Sequence, residues 1–141
     1  MKANPFLIER NFSAPLSKVW EAITDTGKMK HWYFDLEKFK PEVGFKFQFM
    51  AGDDKKKYLH ICKVTQAEEG KVLEYSWSYD NYPGQSWVKF ELFEAGTGTR
   101  LKLTHTGIDS FPKDDPAFAK ERFAAGWTAI IGTNLKNFLE Q

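Results

Sequence analysis

The chain has 141 residues and a formal net charge of +1, with 20 Lys and Arg against 19 Asp and Glu, so its field has no dominant sign with which to gather nucleic acid or an acidic membrane. The length suits one domain, residues 1–141, with a core that needs no disulfide or metal staple. No apolar run reaches the length of a signal peptide or a membrane span, and the lone Cys62 fits a reducing compartment, which together predict a cytoplasmic protein without membrane insertion.

Aromatic residues make up 16% of the chain, 13 Phe and 5 Trp among them, and such large apolar surfaces require a thick core or a lined pocket. Pro5 to Phe12 predicts a first strand with Phe6, Ile8, Arg10 and Phe12 on one face. An Arg there needs a carboxylate partner such as Glu74, solvent at the sheet edge, or an anionic ligand head. Ser13-Ala14-Pro15 predicts a helix start, with a hydroxyl cap and a proline in the first turn. Leu16, Val19, Trp20 and Ile23 follow at helical spacing. Lys28 to Phe34 reads as a second short helix or turn.

From Gly44 the period changes to two. Phe45, Phe47 and Phe49 alternate with Lys46, Gln48 and Met50, which sets one solidly aromatic sheet face. The charged turn Asp53-Asp54-Lys55-Lys56 leads into Tyr58 to Gln66, with Tyr58, His60, Cys62 and Val64 on one side. Glu68-Glu69-Gly70 turns into Lys71 to Tyr79, where Leu73, Tyr75, Trp77 and Tyr79 align. Ser86 to Glu94 follows the loop Asn81-Tyr82-Pro83-Gly84, and Gly96-Thr97-Gly98 turns it into Arg100 to Thr106. Such consecutive hairpins predict an antiparallel sheet of about six strands.

The last segment is helical. Asp114 and Asp115 are expected to cap it and Pro116 to occupy its first turn, after which Phe118, Phe123, Trp127, Ile131, Leu135, Phe138 and Leu139 form the buried stripe. Gly126 and Gly132 interrupt it, each at a cost of about 1 kcal/mol relative to Ala. They signal either close approach to the sheet or room left beside the helix.

His31, His60 and His105 stand apart in sequence and form no spaced ligand set with Cys62 or a carboxylate pair, so no metal is expected. Gly96-Thr97-Gly98-Thr99 lacks the ending and the strand-to-helix context of a phosphate loop. No serine elbow, Cys-His pair or dinucleotide fingerprint appears, and neither a catalytic residue nor a cofactor is expected. The candidates for ligand binding are therefore collective. Trp32, Phe34, Phe45, Phe47, Phe49 and Tyr75, with Trp77, Trp87, Phe90, Phe123, Trp127 and Ile131, are each core residues when taken singly. Together they are the material of a concave apolar pocket. Arg10, Tyr58, His60 and Tyr75 are the polar groups available to orient a ligand.

The order strand, helix pair, antiparallel strands, long C-terminal helix resembles the START-like, or SRPBCC, superfamily, and most closely its branch named after the activator of the heat-shock protein 90 ATPase. The resemblance is carried by Arg10 and Phe12 through Ala14-Pro15, by Val19-Trp20 with Ala22-Ile23-Thr24, and by Trp32. It continues in Leu101 to Gly107 (Leu-Lys-Leu-Thr-His-Thr-Gly) and in Gly126-Trp127 with Leu135 and Leu139. It implies an α+β helix-grip fold, in which a curved sheet wraps the C-terminal helix and a hydrophobic small molecule, lipid-like or aromatic, lies between them. It also implies two alternatives: a co-chaperone whose partner is a heat-shock protein 90-type ATPase, and an enzyme of the cyclase or hydrolase sort found on this fold.

Overall fold

A computed structural model describes residues 5–34, 36–52 and 56–140, apart from the side chain of Ala117. Strand β1 (Phe6–Phe12) leads to helices α1 (Leu16–Thr24) and α2 (Thr26–Trp32). Five strands follow: β2 (Lys46–Gly52), β3 (Lys57–Glu68), β4 (Val72–Tyr79), β5 (Ser86–Ala95) and β6 (Gly98–Thr106). They form one sheet of six strands in the order β1-β6-β5-β4-β3-β2, with every neighbouring pair antiparallel. The C-terminal helix, residues 120–139, runs as α3 (Lys120–Ala129), a π-helical stretch (Ile130–Leu135) and α4 (Lys136–Leu139).

The strands form where the sequence alternates, because a period of two sends successive side chains to opposite faces. On the inner face Phe47, Phe49, His60, Cys62, Val64, Leu73, Tyr75, Trp77, Val88, Phe90, Leu101, Leu103 and His105 are all buried. Phe123, Trp127, Ile131, Leu135 and Leu139 of the C-terminal helix are buried with them, so the sheet grips the helix along its length. The expected turn at Asp53, Asp54 and Lys55 lies outside the described residues.

Four expectations are corrected. Ser13 does not cap α1: Pro15 is the N-cap residue and no side chain caps it. The Ser13 backbone N–H instead donates to Glu140 Oε2 at 3.0 Å, tying the start of α1 to the end of the C-terminal helix and holding the Glu140 carboxyl below its usual range. The second correction concerns Pro116, which opens a separate 3₁₀ turn, Pro116–Phe118. Ala119 then turns extended, at φ −68° and ψ 143°, before α3 begins at Lys120. The chain therefore bends between Phe118 and the helix, and Phe118 points from a different element than Phe123.

Arg10 and Glu74 are not partners. Strands β6 and β5 separate β1 from β4, and Glu74 accepts from Thr65 Oγ1 at 2.8 Å, beside the register shift between Val64 and Gln66. Arg10 Nη1 donates to the carbonyl of Glu9 at 2.8 Å. Finally, Trp87 does not face the core. It is 38% exposed, because Ser86, Val88 and Phe90 take the inward positions of β5.

Candidate functional site

A cavity of about 400 Å³ opens between the inner face of the sheet and the first half of the C-terminal helix. Its floor is aromatic: Tyr58 and His60 from β3, Trp77 and Tyr79 from β4, and Phe34 from the segment after α2. Phe118, Phe123 and Trp127 face them from the 3₁₀ turn and α3. The rim is Ala51 and Gly52 at the end of β2, with Arg122, Gly126, Ala129 and Ile130 on the helix. Gly52, Arg122, Gly126 and Ala129 are exposed, so the mouth lies on their side. A cavity of this size is at the small end of the roughly 300–1,000 Å³ typical of ligand sites.

The space exists because two runs of large residues give way to small ones. Phe47 and Phe49, with Phe45 just before the strand, lead along one face of β2 to Ala51, where the wall thins. On the helix, a Cβ built on Gly126 would meet nothing within 4 Å, so that glycine leaves room. At Gly132 a Cβ would sit 3.5 Å from Arg10 Nε, an ordinary contact, so the Arg10 guanidinium lies beside the glycine without requiring it.

Trp77, Tyr79 and His60 spend polar atoms of the floor on the protein itself. Trp77 Nε1 donates to the Tyr79 hydroxyl at 2.8 Å. His60 stacks on Phe49 with ring centroids 4.6 Å apart, and its Nδ1 lies 2.9 Å from the Tyr58 carbonyl, which makes that nitrogen the protonated one. Burial lowers the His60 pKa to about 4, against the opposing pull of the Tyr58 and Phe49 carbonyls. His60 is thus a neutral aromatic wall at pH 7.

Behind the floor, a buried chain joins helix to sheet. Trp127 Nε1 can only donate, and it points at His105 Nδ1 at 3.0 Å, so that nitrogen accepts. His105 Nε2 lies 2.8 Å from Ser86 Oγ, and Ser86 Oγ donates to the Trp77 carbonyl at 2.8 Å. One proton arrangement satisfies all three contacts: Nε2 of His105 carries the hydrogen. Burial holds the His105 pKa down at about 3, so His105 locks Trp127 in place and does not exchange protons near neutrality. The far end of the sheet is closed by aromatic packing. Tyr33 and Tyr75 share a 2.6 Å hydroxyl contact, with burial raising both phenols, and Phe39 sits edge-on to Phe47 at 5.1 Å.

Six of the residues expected at a ligand site line this cavity: Phe34, Tyr58, His60, Trp77, Phe123 and Trp127. Phe49 supports it from behind, under His60, while Tyr75 belongs to the closed end, against Tyr33 and Phe47. Phe45 and Phe47 belong to the filled end with Phe39. Trp32 is spent on joining the two short helices, through Nε1 to the Ala22 carbonyl at 2.9 Å. Phe90 and Ile131 are core residues, and Arg10 lies outside, against Gly132. Sequence reasoning missed Tyr79, Phe118 and Arg122. Tyr79 was in view as the fourth residue of the β4 stripe, and Arg122 forms a helical stripe with Gly126 and Ala129. Burial pushes the Cys62 thiol up, away from reactivity, and among the described residues no three His, Cys, Asp or Glu are placed to hold a metal.

A six-stranded antiparallel sheet closed on a long C-terminal helix, with two short helices after its first strand, defines a helix-grip domain of the SRPBCC superfamily. The sequence profile described as "Activator of Hsp90 ATPase homolog 1-like protein" matches residues 13–140, and the chain belongs to that family. Among solved structures, a protein from Mesorhizobium loti is 27% identical with a TM-score of 0.75, the match covering 97% of each chain. A Bacillus halodurans protein is 25% identical with a TM-score of 0.77, covering 98% of each. DynU16, from the dynemicin biosynthetic locus, shares the fold at a TM-score of 0.80 and 22% identity; the match covers 99% of this chain and 48% of DynU16. No curated protein matches the chain.

Proposed function

We propose that the protein binds a hydrophobic small molecule, lipid-like or aromatic, in the cavity between sheet and C-terminal helix, without transforming it. The observation that carries this reading is the space itself. Aromatic side chains fill one end of the sheet, while at the other end Ala51 and Gly126 leave about 400 Å³ lined by aromatic rings. Apolar walls with a few fixed polar groups are what small-molecule sites require. A cavity left empty forfeits dispersion contacts on every wall atom, which a ligand would restore.

Titration with the neutral fluorophore N-phenyl-1-naphthylamine, read as energy transfer from Trp77 and Trp127, tests the reading. Gly126→Trp should block the mouth and weaken binding by at least roughly tenfold, the loss expected when an apolar group can no longer bury its surface. A thermal melt verifies that the variant folds. Unchanged affinity in folded Gly126→Trp would place the probe elsewhere and remove the support for this site.

A further inference from the structure

We infer that the ligand of this cavity carries an anionic group, a carboxylate in the simplest case, held at the mouth by Arg122. The inference rests on the cavity reading above and specifies its ligand. Among the described residues that line the space, Arg122 holds the one permanent charge, and none is a carboxylate. His60, the other basic group there, is neutral at pH 7.

Among the described residues Arg122 is also unengaged. On a helix a charged side chain finds its partners three or four positions away. Those positions around Arg122 are Phe118, Ala119, Ala125 and Gly126, with no acid among them. Its side chain makes no hydrogen bond or ion pair among the described residues. The same helix shows the contrast at its other end, where Lys136 pairs with Glu140 at 3.1 Å. Gly126 and Ala129 keep the rim low beside Arg122, so the guanidinium stem has room to lie over the opening. A guanidinium presents a planar fork of donors matched to a carboxylate. A ligand whose apolar body fills the aromatic floor would bring such a group to the rim, where it stays partly hydrated and loses little solvation.

Two isosteric probes separate the charge from the apolar body: 9-anthracenecarboxylate and its neutral carboxamide, titrated calorimetrically at pH 7. The unaltered protein should bind the carboxylate about tenfold more tightly, the order expected for a charge-assisted hydrogen bond. Arg122→Gln should abolish that preference and leave the carboxamide affinity within about twofold. Equal affinities in the unaltered protein, or a preference that survives Arg122→Gln, would overturn the inference while leaving the cavity reading standing. Binding of neither probe would overturn both. Because Arg122 is exposed, Arg122→Gln is expected to fold normally, which a melting curve confirms.

Discussion

Along residues 120–129 the C-terminal helix buries Phe123 and Trp127 but leaves Gly126 and Ala129 exposed above a cavity. Along residues 130–139 it seats Ile131, Leu135 and Leu139 with at most 2% of their surface exposed. The same sheet and the same helix thus make a site at one end and a closed core at the other. Fastening explains part of the difference. The closed half is tied to the N-terminal helices by Ser13 to Glu140 and by Lys18 Nζ to the Leu139 carbonyl at 3.3 Å, and His31 stacks on Phe138. The open half is held by Trp127, bonded to His105, and by Phe123, packed on His105 and Phe111. The π-helical turns, Ile130–Leu135, begin at the junction and run into the closed half; such turns often accompany functional sites.

The largest effect should come from breaking the closed half. Leu135→Ala should cost about 2–5 kcal/mol in urea denaturation, since it empties a packed site. Ile130→Ala, at a half-buried residue already bordering free space, should cost less than about 1 kcal/mol because fewer contacts are lost. Comparable losses at the two positions would mean that the helix is packed uniformly and that the cavity closes in solution.

The distinction between halves was only partly legible in the sequence. Strand faces were legible because alternation fixes which side chains share a side: Tyr58, His60 and Trp77 were placed inward from spacing alone, and all three line the cavity. What alternation cannot supply is position along the sheet. Phe47 and Phe49 share a face with Ala51, yet only the end near Ala51 is open, and that depends on where the helix crosses. The bend at Ala119 was hidden because Pro116 suits a first helical turn as well as a 3₁₀ turn, so Phe118 was assigned to the helix and not to the cavity wall. Arg10 looked like an inward charge because its neighbours Ile8 and Phe12 point inward. At the edge strand, however, its long stem turns out over Gly132.

A second, smaller effect distinguishes the two histidines from ordinary surface groups. Folded, His60 and His105 have pKa values of about 4 and about 3; unfolded, each takes its proton near 6.5. Between those values the unfolded chain binds more protons, so stability is full above about pH 6.5 and falls as the pH drops toward the folded values. From pH 7 to pH 5 each histidine should remove about 2 kcal/mol. His60→Phe, which preserves the stack on Phe49, should lose only the His105 share. If this variant shows the full loss, His60 already takes its proton in the folded protein, and the cavity floor is wetter than its lining implies.

The smallest effect bears most directly on why the open half is open. Gly126→Ala and Gly132→Ala each remove a helix-interior glycine and should each stabilise by about 0.5–1 kcal/mol if the new methyl finds space. At position 126 it meets nothing within 4 Å, and at position 132 it meets the Arg10 guanidinium at 3.5 Å, an ordinary contact with a movable side chain. Both should therefore raise the melting temperature, while only Gly126→Ala touches the cavity rim. If Gly126→Ala instead lowers stability, space at the rim is not what selects the glycine. The helix would then have to flex at Gly126, with the mouth widening and narrowing about that point, and affinity for a bulky probe should fall together with stability.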